Sequence, residues 1–272
     1  MTTVLDVQRF KDEGRRFAML TAYDYQTARL LDEAGIPLLL VGDSLGMVML
    51  GYDNTLPVTL DDVIHHAKAV ARGARNALKV GDLPFMSYHK SLEQAIESSG
   101  RLLQEAGMQA VKLEGGGRTV EIVHRLTQLG IPVMAHLGLT PQFVHQMGGF
   151  KVQGKTADAA ARIVADAHEL QEAGAFSLVL EGVPSELARA VTSQLRIPTI
   201  GIGAGQHCDG QVLVVHDMLG LTERQPRFVK RYAELGALIV EAAKRYARDV
   251  EEGAFPDGEH SYSLPQEARR SG

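Results

Sequence analysis

Short apolar runs alternate with longer amphipathic segments along most of this chain. Eight of these runs, rich in Val, Ile, Leu, Ala and Met, predict β-strands. The predicted strands are Phe17–Ala22, Pro37–Asp43, Leu78–Asp82, Ala110–Glu114, Pro132–His136, Ser177–Glu181, Pro198–Gly201 and Val212–Val215. Because the runs are nearly continuous in apolar residues, they indicate strands buried on both faces, which is typical of a parallel sheet.

The segments between the strands have the periodicity of amphipathic helices. The predicted helices are Leu5–Glu13, before the first strand, and then Tyr25–Ala34, Leu60–Arg72, Leu92–Ala106, Thr119–Leu129, Ala157–Ala173, Ser185–Gln194 and Val229–Val250. Three of them are followed directly by glycine, at Gly35, Gly107 and Gly174. Glycine is favoured there because the residue after a helix commonly adopts a left-handed conformation.

The alternation of strands and helices over 272 residues predicts the α/β class. We expect a single (β/α)8 TIM barrel with an extra N-terminal helix, since such barrels contain about 250 residues. An open doubly wound sheet is the alternative. The catalytic domain is predicted to span residues 1–262, and the polar residues 263–272 are predicted to form a disordered tail.

Two connections that follow strands are much longer than the ~2–6 residues usual at such positions. They are Ser44–Thr59 and the glycine-rich segment Leu137–Thr156. Both should lie on the face where barrel enzymes carry out chemistry, because that face is built from the loops after the strands. The glycine-rich segment is therefore a candidate lid, and a passive surface insertion is the alternative.

The composition excludes several kinds of binding partner and of metal site. The net charge of −5 provides no general basic field for nucleic acid or for an anionic membrane. The apolar runs are too short to span a bilayer, and the first residues lack the pattern of a signal peptide. Cys208 is the only cysteine, which excludes an internal disulfide and a cysteine-rich zinc site. We therefore expect a soluble, cytoplasmic protein.

Ionisable residues stand at the ends of five consecutive predicted strands. They are Asp43, Asp82, Glu114, His136 and Glu181. The carboxyl ends of barrel strands meet at one face, and two like charges ~4 Å apart repel by about 4 kcal/mol at an effective dielectric constant of 20. Lys112 offsets one charge, and a divalent cation would offset the rest. Carboxylates favour Mg²⁺ or Mn²⁺ over Zn²⁺, although any single acid here could equally cap a helix.

Ten short sequence motifs, in the same order along nearly the whole chain, resemble motifs of the ketopantoate hydroxymethyltransferase family. They are Thr21–Tyr25, Val41–Gly46, Thr55–Thr59, Asp82–Phe85, Val111–Gly115, Ala135–Pro141, Gly149–Gly154, Leu180–Pro184, Gly201–Gly205 and Val215–Asp217. None is specific alone, but together they identify the family closely. One departure is Gly182, which stands where some relatives have cysteine.

The resemblance implies transfer of a hydroxymethyl group from 5,10-methylenetetrahydrofolate to 3-methyl-2-oxobutanoate. The product would be 2-dehydropantoate, a precursor of pantothenate and coenzyme A. The resemblance also implies one Mg²⁺ per subunit, a cytoplasmic location and a homo-oligomer, commonly a decamer. By the family's pattern, the metal ligands are Asp43, Asp82 and Glu114. The residues that bind the oxo acid are Asp43, Ser44, Asp82 and Lys112, and the proton acceptor is Glu181.

A mechanism follows from the chemistry of a 2-oxo acid. Glu181 would remove the C3 proton, a Mg²⁺-stabilised enolate would attack the folate methylene carbon, and Lys112 would donate to a substrate oxygen. We also predict that His136 binds or orients the substrate. Three rivals are a metal-dependent 2-oxo-acid aldolase or phosphoenolpyruvate-type lyase, an enzyme with a Schiff base on Lys112, and a catalytically silent metabolite-binding barrel.

Overall fold

The structure is a computed structural model, and it describes residues 1–223 and 225–263. The predicted tail therefore lies, except for residue 263, outside the described residues. Of the described residues, one compact unit contains 1–215 and 225–229, and a second contains 216–223 and 230–263. The assignment of residues 1–262 to one catalytic domain stays a prediction.

The first unit is a closed barrel of eight parallel strands in sequential order. The strands are β1 Phe17–Thr21, β2 Leu38–Val41, β3 Leu78–Asp82, β4 Ala110–Glu114, β5 Val133–Gly138, β6 Ser177–Glu181, β7 Thr199–Ile202 and β8 Gly210–Leu213. β8 pairs in parallel with β1, from Phe17 opposite Gly210 to Leu20 opposite Leu213. This closure confirms the predicted TIM barrel and excludes the open sheet.

The described helices number eleven, with one additional short 3-10 helix at Pro141–Phe143. They are α1 Val4–Asp12, α2 Tyr25–Glu33, α3 Leu45–Val48, α4 Leu60–Gly73, α5 Leu92–Gln104, α6 Arg118–Gln128, α7 Val144–Met147, α8 Ala157–Glu172, α9 Ser185–Gln194, α10 Val215–Met218 and α11 Leu235–Glu251. The extra N-terminal helix is confirmed as α1, which Thr3 and Asp6 begin with a reciprocal capping box.

The barrel interior changes from apolar to ionisable along strands β3 to β6. Residues such as Met19, Leu38 and Val80 form one buried cluster, which also includes Val7 and Phe10 of α1. Side chains two residues apart on a strand project to the same side. The inward positions that begin with these apolar residues therefore continue to ionisable residues at the carboxyl ends of β3 to β6.

Two predicted elements are misplaced, and the other ends of the predicted strands and helices differ from the structure by at most two residues. The eighth strand was predicted at Val212–Val215, but β8 is Gly210–Leu213 and Val215 begins α10. Gly210 belongs to the strand because it pairs with Phe17 of β1 and with Ile200 of β7. The residue there is glycine because a Cβ would lie 2.5 Å from the Phe17 ring. The strand ends before Val215 because the amide of Val215 donates to Thr21 Oγ1 instead of to a ladder carbonyl.

The last helix begins at Leu235 rather than at the predicted Val229. Two amides at its start pair with the end of α10 and the residue after it: Tyr232 N–H donates to the Met218 carbonyl at 2.8 Å, and Leu235 N–H donates to the Leu219 carbonyl at 2.8 Å. These bonds satisfy the backbone without a helical turn. No helix in the described part of the chain is long and apolar enough to cross a membrane.

Candidate active site

Strands β3 to β6 bring five predicted site residues to one end of the barrel. The pairing places Asp82 opposite Lys112, Glu114 opposite His136, and Gly138 opposite Glu181. The side chain of Glu181 remains 17% exposed, whereas the other four residues are almost fully buried. The result is a buried polar cluster with one carboxylate at its accessible side.

Lys112 is held between acidic side chains. Its Nζ donates to both Asp82 oxygens at 2.7 Å and lies 3.8 Å from Glu114 Oε1. Burial lowers the pKa of Lys112, but the charges of Asp82, Glu114 and Asp43 outweigh burial and raise it above its usual value. Lys112 is therefore a protonated donor, which is the wrong state for a Schiff-base nucleophile.

Asp43 lies just after β2 and adds a further carboxylate to the cluster. Its backbone N–H donates to Asp82 Oδ2 at 3.3 Å. Burial and the nearby Asp82 and Glu114 raise the pKa of Asp43 well above its usual value, and burial also raises the pKa of Asp82. The cluster therefore carries more acidic groups than Lys112 can balance.

His136 bridges the buried and accessible carboxylates. Its Nδ1 lies 3.3 Å from Glu114 Oε1, and its Nε2 lies 3.3 Å from Glu181 Oε2. Neither contact has the geometry of a hydrogen bond. Burial lowers the pKa of His136, but these two carboxylates outweigh burial and raise it to about 9. Burial raises the pKa of Glu114, but His136 and Lys112 outweigh burial and hold it below its usual range.

Ser44 is placed beside this cluster by the turn that follows β2. Its hydroxyl lies 2.8 Å from the hydroxyl of the buried Tyr23. A Cβ at Gly42 would lie 2.9 Å from Ser44 Oγ and 3.6 Å from Asp82 Oδ2. Glycine therefore allows the close approach of the β2 turn to Ser44, whereas the distance to Asp82 is an ordinary contact.

Two further buried residues contact the cluster and were missed from the sequence. Gln142, in the 3-10 helix after β5, donates from Nε2 to Asp43 Oδ2 at 2.9 Å and from its backbone N–H to Glu114 Oε2 at 3.1 Å. The hydroxyl of Tyr88, after β3, donates to Gln142 Oε1 at 2.8 Å. A Gln and a Tyr in connecting segments carry no pattern that distinguishes them from surface residues, so no sequence signal identified them.

The donor chemistry of the cluster fits a hard cation such as Mg²⁺. Asp43, Asp82 and Glu114 are three buried carboxylates with one lysine among them, and the raised pKa of Asp43 reflects their crowding. Among the described residues, no group of three or more His, Cys, Asp or Glu side chains is arranged to hold a metal ion by itself. Mg²⁺ commonly needs only one or two carboxylates, with water and substrate oxygens as its other ligands. The metal-ligand roles stay predictions.

Comparison with solved structures shows the same fold in distant proteins. The structure of phosphonopyruvate hydrolase in complex with oxalate and Mg²⁺ has a TM-score of 0.63 and 12% identity, covering 96% of this chain and 93% of that chain. The structure of 2,3-dimethylmalate lyase has a TM-score of 0.59 and 18% identity, covering 99% of this chain and 94% of that chain. At these identities the likeness shows the fold alone.

Comparison of sequences, unlike comparison of folds, identifies the family of this chain. The 3-methyl-2-oxobutanoate hydroxymethyltransferase of Syntrophus aciditrophicus is 60% identical over 257 residues, covering 94% of each chain. The protein of the same name from Chloroflexus aurantiacus is 60% identical over 260 residues, covering 95% of this chain and 92% of that protein. The model of the family described as ketopantoate hydroxymethyltransferase matches residues 1–258. The chain therefore belongs to the ketopantoate hydroxymethyltransferase family.

Proposed function

We propose that this protein transfers a hydroxymethyl group from 5,10-methylenetetrahydrofolate to 3-methyl-2-oxobutanoate, giving 2-dehydropantoate for pantothenate and coenzyme A synthesis. The relatives at 60% identity are named for hydroxymethyl transfer to this oxo acid. The observation that carries the proposal is the unbroken series of contacts from Asp82 through Lys112, Glu114 and His136 to Glu181. It supports the proposal because a lysine and a partly exposed carboxylate, the groups needed as a donor and a base, lie within one series of contacts.

Substrate binding is assigned to the residues at the ends of β2 to β5. Lys112 is the donor for a carboxylate or keto oxygen of the oxo acid, because its pKa is raised and it remains an ammonium group. Ser44 adds a hydroxyl that Tyr23 orients. Asp43, Asp82 and His136 are assigned to the walls of the same site.

Asp43, Asp82 and Glu114 are the residues that would hold one Mg²⁺ per subunit. Bound there, Mg²⁺ would supply Lewis acidity toward the keto group of the oxo acid. The support is the crowding of three buried carboxylates, for which burial and mutual repulsion raise the pKa of Asp43. A hard divalent cation relieves that repulsion better than a second lysine, because it accepts several oxygen ligands at once.

Proton transfer is assigned to Glu181. Its carboxylate is the one member of the series with partial exposure, so it can reach the C3 hydrogen of a bound oxo acid. Glu181 takes the C3 proton, and the electron pair left on the substrate forms the new C–C bond to the one-carbon unit of the folate. Water supplies the hydroxyl oxygen and tetrahydrofolate leaves, so the overall transfer balances. His136, within 3.3 Å of Glu181, orients the base.

The decisive assay supplies 3-methyl-2-oxobutanoate with methylenetetrahydrofolate, or with formaldehyde as a simpler donor. We expect 2-dehydropantoate to form with both donors, and we expect a divalent-metal chelator to abolish the reaction and added Mg²⁺ to restore it. Product formed at full rate in chelator would contradict the metal assignment.

Cleavage of a 2-oxo acid without any one-carbon donor would favour an aldolase or lyase instead. Binding of the oxo acid without turnover would favour a silent metabolite-binding barrel.

A homo-oligomer, with a decamer as its expected form, and a cytoplasmic location belong to the same proposal. The support for self-association is α11, which has no buried residue along its 17 residues. Its exposed apolar side chains include Leu238, Ile239, Val240 and Tyr246. An exposed apolar surface of this kind commonly marks a protein interface.

A further inference from the structure

Gln142 makes four hydrogen bonds that tie two predicted metal ligands to the barrel wall. Its Nε2 donates to Asp43 Oδ2 and to the Leu83 carbonyl, both at 2.9 Å. Its Oε1 accepts from Tyr88, and its backbone N–H donates to Glu114 Oε2 at 3.1 Å. Gln142 is 3% exposed, so water does not compete for these bonds.

The network determines which way the amide of Gln142 points. The Leu83 carbonyl can only accept, and the Asp43 oxygen also accepts when Asp43 is ionised as a metal ligand, so both face the NH₂ group rather than Oε1. Tyr88 reinforces this orientation, because its hydroxyl accepts from the Glu114 N–H at 3.2 Å and lies closer to Gln142 Oε1, at 2.8 Å, than to its other acceptor, the Glu114 carbonyl, at 3.2 Å. Flipping the amide would place an oxygen against two acceptors, so one orientation is strongly preferred.

The bonds from Gln142 divide the oxygens of the two carboxylates unequally. Asp43 uses Oδ2 and Glu114 uses Oε2 to accept from Gln142. Oε1 of Glu114 is the oxygen that lies near Lys112 and His136. One residue therefore restrains the rotation of two carboxylates that come from different strands.

We propose that Gln142 is a positioning residue that holds one oxygen of Asp43 and one of Glu114, so that each carboxylate offers its other oxygen to the divalent cation. The inference rests on the proposed function, because it presumes that these acids bind Mg²⁺. Gln142 acts through the carboxylates and touches neither the substrate nor the reacting atoms.

The direct test replaces Gln142 by methionine, which preserves the length of the side chain and removes its three side-chain hydrogen bonds. Mg²⁺ affinity is measured by isothermal titration calorimetry with 3-methyl-2-oxobutanoate present. Exchange of the C3 proton in deuterated water is followed by NMR as a function of Mg²⁺ concentration. We expect Mg²⁺ affinity to fall by about 10- to 100-fold, the range usual for groups that orient metal ligands. At saturating Mg²⁺, the exchange rate should return to within a few fold of wild type.

Gln171 provides the matched control. It is also buried, and its Oε1 accepts from the backbone N–H groups of Arg196 and Ile197 at 2.6 and 3.3 Å, at the amino ends of the strands. Gln171→Met should lower the melting temperature but leave Mg²⁺ affinity within about twofold of wild type. Equal losses of Mg²⁺ affinity in the two variants would overturn the positioning role, as would wild-type affinity in Gln142→Met.

Tyr88→Phe tests the same hydrogen-bond network without changing Gln142. It remains a test of the positioning role if Gln142→Met does not fold. It should weaken Mg²⁺ binding by a few fold, because it removes the bond that orients the Gln142 amide, together with the longer contacts of the hydroxyl with the Glu114 backbone. In the protein that carries both Gln142→Met and Tyr88→Phe, the loss of Mg²⁺ affinity should be smaller than the product of the two single losses, since both substitutions act through the Gln142 amide. Multiplicative losses, or no loss in Tyr88→Phe, would contradict the network. If wild-type protein itself binds no Mg²⁺, the proposed function fails rather than this inference.

Discussion

Glu181→Gln is expected to slow exchange of the C3 proton of 3-methyl-2-oxobutanoate with deuterated solvent by at least about a hundredfold, the usual lower range for loss of a general base. The amide retains the shape of the side chain and an oxygen near His136 Nε2, but it cannot take a proton. Exchange is followed by NMR with Mg²⁺ present and without folate, so that proton removal is isolated from one-carbon transfer.

Glu186→Gln is the matched control for this prediction. Glu186 lies five residues further along, in the exposed first turn of α9, and the same substitution there should leave exchange unchanged. The melting temperatures of both variants should stay near that of wild type, because neither carboxylate is fully buried. Exchange by Glu181→Gln at the wild-type rate would remove Glu181 from its assigned role and leave the fold assignment intact.

Lys112→Met is expected to lower the free energy of unfolding by about 3–5 kcal/mol, the range for removing one partner of a buried ion pair. Asp82 would lose a donor that now lies 2.7 Å from both of its oxygens, in a site where both partners are buried. Mg²⁺ should recover part of the lost stability, because a ligand that binds only the folded state stabilises it. Hydroxymethyl transfer should fall by at least about a hundredfold even at saturating Mg²⁺.

The control for Lys112 is Lys68→Met. Lys68 Nζ lies 3.9 Å from Glu105 Oε2 in an exposed pair, and such pairs contribute about 0–1 kcal/mol. Urea unfolding of both variants, with and without Mg²⁺, measures the difference in their free energies of unfolding. A Lys112→Met protein as stable as wild type without Mg²⁺ would show that the acids of the cluster do not depend on Lys112 for charge balance.

The barrel and most of its site were predictable because both depend on short-range patterns. Near-continuous apolar runs revealed the strands, and the carboxyl ends of neighbouring strands in a barrel necessarily meet. The sequence therefore predicts that four residues lie together, and the structure brings them together: Asp82, Lys112, Glu114 and His136. The position of Val111 and Leu113 between them, facing the helices, follows from the two-residue period of a strand.

The features that were missed depend on contacts between distant segments. Gly210 lies in β8 because it pairs with Phe17 and Ile200 of the neighbouring strands, and the low strand propensity of glycine does not predict this. Leu235 begins α11 because earlier amides are satisfied by a loop some fifteen residues away. Gln142 reaches Asp43, 99 positions earlier in the chain, so its role becomes visible only after folding.

We propose that acids from separate strands share one divalent cation at the carboxyl end of the barrel. The most direct measurement is anomalous diffraction from a crystal grown with Mn²⁺ and 3-methyl-2-oxobutanoate. We expect one strong peak within about 2.5 Å of carboxylate oxygens from both Asp43 and Asp82, with the oxo acid completing the coordination. An oxo acid bound there with no anomalous peak near either carboxylate would contradict the account.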